Sequence, residues 1–170
     1  MEQYYFDFKF DDENAGKTRK FLEFYVTDRM FAVSTDEVVE IVQYGDVSPV
    51  PEFPEYVKGI ATVNGRTVAV IDTAKRFKYE RTSEDTSRRC IVIASVTEGE
   101  NAREIGIIAD NVVKIRDVEE EKLLPPPEVN SEAFTRYITG MFIRTDDTPC
   151  FIVSPKLMMS EEEQEVIFEK

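Results

Sequence analysis

The sequence predicts an all-β fold with a few short helices, a barrel or a sandwich. Three observations carry that expectation. Apolar residues alternate with polar ones in short runs, whereas helical periodicity sustained over ten or more residues is almost absent. An Asn-Gly pair, Asn64-Gly65, joins two such runs, and further Gly, Pro and Asp clusters punctuate the chain at the spacing of strands. Nowhere do strands alternate with amphipathic helices as a parallel sheet requires.

The elements follow in order. Tyr4, Phe6, Phe8 and Phe10 alternate with Tyr5, Asp7 and Lys9, which puts four aromatics on one face of a first strand. Such a stripe is an aggregation hazard when exposed, so this segment is expected to pair with a barrel edge of its own molecule or to cap a partner. A polar linker, Asp11 to Arg19, follows. FLEFYV (Phe21 to Val26), a polar turn around Asp28 and MFAVS (Met30 to Ser34) read as a hairpin. Ser34 with Glu37 three residues on forms a capping box, and Val38, Val39, Ile41 and Val42 give a short helix an apolar face. Tyr44 to Pro54 holds Gly45, Asp46, Pro49, Pro51 and Pro54 and is loop. GIATV (Gly59 to Val63) and RTVAVID (Arg66 to Asp72) flank Asn64-Gly65 in a hairpin, because both central residues of a type I′ turn need positive φ.

Lys78 to Arg88 is polar and reads as a mobile loop. CIVIASV (Cys90 to Val96), REIGIIAD (Arg103 to Asp110) and VVKIRDV (Val112 to Val118) read as strands. Pro125 to Pro127 exclude an interior strand from EEEKLLPPPEV. YITGMFIR (Tyr137 to Arg144), a turn at Asp146-Asp147 and CFIVS (Cys150 to Ser154) make a last hairpin. From Pro155 a helix is expected, with Ser160 and Glu163 as a second capping box in an acidic surface.

At 170 residues the chain suits one compact domain or two small barrels sharing a core. Its 34 acidic and 21 basic residues leave a net charge of −13, which repels nucleic acid and anionic lipid alike. The absence of histidine excludes histidine-based triads, His-ligated zinc and a phosphohistidine carrier. Cys90 and Cys150 each lie in an apolar run, far apart, and read as buried thiols of a reducing compartment. With no signal-peptide pattern and no apolar run near 18 residues, the expectation is a soluble, cytoplasmic protein.

No phosphate loop, G-x-G-x-x-G or G-x-S-x-G elbow is present, and no cofactor is expected. The runs at Glu119 to Lys122 and Glu161 to Glu165 read as solvated faces. Asp11-Asp12, Asp72, Ser95 or Thr97, and Lys114 loosely imitate a phosphoacceptor receiver domain. A receiver needs those groups at the carboxyl ends of parallel strands, and the Asn-Gly hairpin stands where its helices belong. Asp72 reads instead as closing a strand by hydrogen-bonding the next turn. Lys75, Arg76, Lys78, Arg81, Arg88 and Arg89 form the single basic cluster. They are either a solvated loop or a docking patch for an acidic partner, with Lys75, Arg76 and Lys78 as the patch candidates.

In order and spacing the chain resembles the CheW family, adaptors that couple bacterial chemoreceptors to the histidine kinase CheA. The resemblance runs from FLEFYV and FAV through VVEIV (Val38 to Val42), PVPEFPEYVKGI (Pro49 to Ile60), VNGRTVAVIDTAKRF (Val63 to Phe77), IGIIADNV (Ile105 to Val112), LLPPPEV and YITGMF (Tyr137 to Phe142). It covers about Lys20 to Met159. The chain therefore divides into an extension over residues 1–19, a CheW-like domain over 20–159 and an acidic helix over 160–170. The resemblance implies two five-stranded, SH3-like β-barrels packed around a shared core. It implies no catalysis: the domain grips the cytoplasmic tip of the receptor's helical hairpin and, on another face, the CheA regulatory domain, and is recruited to membrane receptor arrays.

Carried over position by position, Val38 and Glu40 match the V-x-E-I segment near the family's receptor contact. Glu40 is the better candidate, since a charge between apolar residues must face water or find a partner. Gly59 and Gly106 match family glycines and serve backbone geometry or close packing ahead of contact, with Gly106 kept among the receptor-binding candidates. Asp72 matches the family's V-I-D-L segment as a structural residue. Three departures stand out. Thr62-Val63-Asn64-Gly65 replaces Asn-Leu-Arg-Gly, so Asn64 occupies the place of an arginine implicated in complex assembly, and Arg66 is the candidate to supply its charge. Ala69 and Thr73 replace the usual Pro and Leu. The alternative these departures raise is a diverged adaptor serving a different receptor array.

Overall fold

The computed structural model describes residues 17–81, 84–97, 102–131, 136–159 and 161–168. The aromatic run Tyr4 to Phe10, Asp11-Asp12 and the cap Ser160 lie outside them. Ten strands are present among the described residues: β1 (Thr18–Val26), β2 (Arg29–Ser34), β3 (Val38–Gln43), β4 (Val57–Val63), β5 (Arg66–Ile71), β6 (Cys90–Ser95), β7 (Glu104–Ala109), β8 (Asn111–Glu119), β9 (Ile138–Ile143) and β10 (Pro149–Val153). Helices α1 (Thr73–Phe77) and α2 (Glu161–Phe168) and 3-10 turns at Thr35–Glu37, Glu120–Lys122 and Pro155–Met158 accompany them.

The strands form two five-stranded sheets, in the orders β8-β1-β2-β10-β9 and β3-β6-β7-β5-β4. Each closes on itself through one bridge just after its first edge strand. Ser48 and Ile60 exchange two backbone hydrogen bonds of 2.8 Å in the second sheet, and Leu124 and Met141 exchange bonds of 2.8 and 3.0 Å in the first. Closure removes the open edges that would otherwise recruit other strands.

The two barrels share one plan. In each, an antiparallel pair (β1–β2 or β6–β7) joins a run of three strands, and the last strand of the run pairs in parallel with the second of the pair (β10 with β2, β5 with β7). Along the chain the order is pair, triple, pair, triple, and each triple joins the pair it does not follow at the level of the sheet: β1–β2 with β8–β10, β6–β7 with β3–β5. The first barrel is thus assembled from both ends of the described domain.

Strand parity divides the apolar residues among three cores. Phe21 points into the first barrel with Met30, Ala32, Val118, Phe142, Cys150 and Ile152. Ile91 and Ile93 point into the second with Ala61, Val63, Val68, Val70 and Ile108. The opposite faces of the same strands, Leu22, Phe24 and Val26 on β1 and Val92 and Ala94 on β6, meet between the barrels. Strands buried on both faces lose their alternation, which is why IVIASV reads as a continuous apolar run. Phe31 lies at the centre of the shared core, with ring centroids 5.1 Å from Phe77 and 6.0 Å from Phe151. Full burial of a side chain of this kind contributes about 1.5–3 kcal/mol.

Two expectations are corrected here. Ser34 does cap, its hydroxyl accepting from the Asp36 N–H at 3.3 Å, yet the helix stops after one 3-10 turn and Val38 to Val42 is strand. Four β-branched residues fit a pleated surface better than a helix, and β6 offers them an unpaired edge. The loop from Lys78 is also less free than its polarity suggests. Lys78 adopts the left-handed conformation (φ 65°) that ends α1, Tyr79 N–H donates to Ala74 O at 2.8 Å, and Tyr79 packs its edge on Phe77.

Glu23 and Cys150 share the interior of the first barrel. Burial above all, then the Glu23 carboxylate, pushes the Cys150 thiol far up, whereas Cys90 is only half-buried. A thiol reagent at pH 8 is therefore expected to reach Cys90 first and Cys150 only at the rate of global unfolding. Mass spectrometry of time points checks this; rapid native-state labelling of Cys150 would contradict a closed first barrel.

Candidate interaction surface

Closure of the second barrel brings three distant stretches together. The turn residues Asn64 (φ 50°) and Gly65 (φ 84°) both take positive φ, as a type I′ hairpin demands. The Ser48–Ile60 bridge folds the far edge strand β3 toward this hairpin, and parallel pairing of β5 with β7 supplies Glu104. Asn64 Nδ2 donates to Glu40 Oε2 at 2.7 Å. Arg66 Nε donates to Glu104 Oε1 at 2.7 Å, and its Nη2 lies 3.7 Å from Glu40 Oε1. The Glu104 hydrogen bond raises the pKa of Arg66 further, so the guanidinium stays charged. Arg66 keeps 36% of its side chain exposed, which leaves a tethered cation flanked by two carboxylates on the surface.

Glu40, Asn64 and Arg66 thus form one cluster, to which Glu104 adds a member that no local signal announces. Val38 turns toward the shared core and is half-buried. A register break between Val38 and Glu40 leaves Val39, not Val38, as the exposed apolar neighbour, at 45% exposure. Gly106 is buried, and a Cβ there would stand 2.7 Å from Ile91 Cγ2 and 3.3 Å from Val70 Cγ2, so its missing side chain serves close packing, the reading placed ahead of contact for it.

The basic cluster is divided by the fold. Arg76 is buried against the ring of Tyr56, its Cζ 3.7 Å from the centroid, and its Nη2 meets Glu163 Oε1 at 3.0 Å. Lys75 and Lys78 are exposed beside it on α1 and its cap. Arg81 reaches Asp72 Oδ1 at 2.8 Å and also pairs with Asp110, which Arg89 meets at 3.1 Å. These pairs fasten the loop between α1 and β6. Asp72 caps α1 by accepting from Lys75 N–H at 3.3 Å, the structural role its position suggests. Among the described residues no group of three or more Cys, Asp or Glu is placed to hold a metal ion.

The family model for the CheW-like domain matches residues 20–163. The chain belongs to the CheW family. Relatives named chemotaxis protein CheW include that of Klebsiella aerogenes, 27% identical over 150 residues and covering 87% of each chain, and that of Rhizobium meliloti, 26% identical over 151 residues, 89% of this chain and 93% of the other. Protein FrzA of Myxococcus xanthus is 25% identical over 127 residues, 75% of this chain and 76% of its own. The crystal structure of scaffolding protein TtCheW from Thermoanaerobacter tengcongensis superposes with a TM-score of 0.79 at 23% identity, over 92% of this chain and 97% of that one. Its fold agrees with the two SH3-like barrels seen here. The CheW family is one of non-catalytic scaffolds and adaptors. Among the described residues no helix is long and apolar enough to cross a membrane.

Proposed function

We propose that this CheW-family chain couples the cytoplasmic tip of chemoreceptors to the regulatory domain of CheA within membrane-associated arrays, by surface contact and without catalysis. The observation that carries this reading is the cluster of Glu40, Asn64 and Arg66 beside exposed Val39, at the positions where the family resemblance places the receptor contact. Two fixed carboxylates around one tethered cation supply directional charge, and Val39 supplies apolar area, the combination a helical partner requires. A net charge of −13 opposes nucleic acid or lipid as alternative partners.

Co-sedimentation of the purified chain with a receptor signalling fragment and CheA tests the reading, and loss of neither partner from solution would reject it. Arg66→Ala is expected to weaken retention roughly tenfold, as loss of a charged interface contact does. Asn64→Arg places a second cation against Glu40 and should change receptor affinity. An unchanged affinity in both variants would move the contact away from this hairpin. The second reading, an adaptor of a different receptor array, is favoured by Asn64 itself. It predicts that Asn64→Arg improves binding to receptors of other CheW proteins while weakening binding to the cognate one.

A further inference from the structure

Arg76 occupies an unusual place for a cation. Its side chain is 8% exposed, its guanidinium lies over Tyr56, and the Tyr137 ring centroid is 5.0 Å away. Glu163 of α2 meets its Nη2, yet Arg76 Nε, buried, has no hydrogen-bond partner. A buried guanidinium N–H left open beside a carboxylate describes a site that can take a better-placed acceptor than the one it holds, since arginine binds carboxylates best through two parallel N–H groups. Burial and the neighbouring Glu163 carboxylate push the Tyr56 phenol up, which keeps its hydroxyl a donor.

Around this point opens a cleft of about 460 Å³ whose lining holds four cations, Lys75, Arg76, Lys78 and Arg136, against two carboxylates, Glu55 and Glu80. In a chain of net charge −13 this is a local reversal of sign. The element seated at its edge is acidic. α2 reads EEEQEVIF and is held by Glu163 on Arg76 and by Gln164, which bonds Met159 O at 3.2 Å and accepts from Arg103 at 3.3 Å. At eight residues it is shorter than the roughly 12–15 residues an isolated helix needs in water, so its order depends on docking.

We propose that the cleft of Arg76, Tyr56 and Tyr137 is a recognition site for a carboxylate on an acidic segment of a partner protein, and that α2 is its resident competitor, with Glu163 in the partner's place. Binding of the partner exchanges one carboxylate for another and releases α2, so access to the cleft is set by the chain's own carboxyl-terminal helix. The cleft shares no residue with the Glu40 cluster, and its occupation does not depend on the receptor–kinase reading. Co-sedimentation reports that reading separately.

The test uses the full chain and three fluorescent peptides read by anisotropy: residues 159–170 of this chain, an unrelated helical sequence with the same number of glutamates, and a version of it with lysine for glutamate. Both acidic peptides should bind the Glu163→Gln chain roughly five- to tenfold more tightly than the unaltered chain, the gain expected from removing one competing ion pair. Adding Arg76→Lys, which keeps the charge but not the fork, should reverse most of that gain, and the lysine peptide should not bind. Hydrogen exchange over α2 should quicken as acidic peptide saturates. Equal affinity of the Glu163→Gln and unaltered chains would overturn the proposal, as would indifference to Arg76→Lys. Binding of the 159–170 peptide alone would overturn the partner claim in favour of exchange between copies of this chain.

Discussion

Replacing Glu23 by leucine is expected to lower the unfolding free energy by about 3 kcal/mol, the range seen when one partner of a buried ion pair is removed. Glu23 is 0% exposed. Parity on β1 puts it on the same face as Phe21, inside the first barrel, where Arg116 from the paired strand β8 donates to it and Arg144 Nε lies 3.4 Å from the same oxygen. Two guanidiniums thus converge on one carboxylate. Without it they face each other across a barrel interior lined by Phe21, Phe142 and Cys150, and their remaining access to water, 18% and 14% of each side chain, relieves only part of the repulsion. For a chain of this size that loss corresponds to a melting point lower by roughly 6–12 °C. Replacing all three residues by apolar ones of similar volume should recover most of it, because desolvation of the charges disappears along with their attraction. Urea denaturation of both variants decides: a loss below about 1 kcal/mol for Glu23→Leu would mean the arginines are neutralised otherwise.

What could be read in the sequence was what is local. The hairpin at Asn64-Gly65, the break at Pro125 to Pro127 and the cap at Ser34 each depend on a few neighbouring residues, and each is found where those residues place it. Val38 to Val42 reads as a helix and folds as a strand for a physical reason: four apolar residues in five satisfy a helical stripe and a doubly covered strand alike, and the decision rests with β6, a strand beyond the next hairpin. The candidate site divides the same way. Glu40 and Arg66 stand out as charges among apolar residues, whereas Glu104 reaches Arg66 only through the parallel pairing of β5 with β7, 38 positions away. Arg76 is the converse case. In sequence it belongs to a basic cluster, and only the folded chain brings Glu163, 87 positions on, and two tyrosines to enclose it.

The matching plan of the two barrels sets up the second large effect, an expected difference between Gly59→Ala and Gly140→Ala. Each glycine immediately precedes the residue whose bridge closes its barrel, Gly59 before Ile60 and Gly140 before Met141. At Gly59 a Cβ would stand 2.1 Å from Ser48 O, and φ of +152° is one that side-chain-bearing residues rarely adopt. The carbonyl it strikes is the acceptor of the Ile60 N–H, so relief requires opening both hydrogen bonds of the bridge. Backbone strain together with two lost hydrogen bonds amounts to about 3–5 kcal/mol. At Gly140 the corresponding Cβ would stand 3.0 Å from Leu124 O, a gap that a shift of a few tenths of an ångström resolves, at about 1 kcal/mol. The site should respond as the stability does. The Ser48–Ile60 bridge holds β3 against the β4–β5 hairpin, so Gly59→Ala loosens Glu40 from Asn64 and Arg66, while Gly140→Ala leaves that cluster intact. Denaturation midpoints and receptor-fragment retention of the two variants, measured together, check both parts. Equal destabilisation would show that closure of the second barrel does not depend on the close approach at Gly59, and full retention by a folded Gly59→Ala chain would separate the cluster from the bridge.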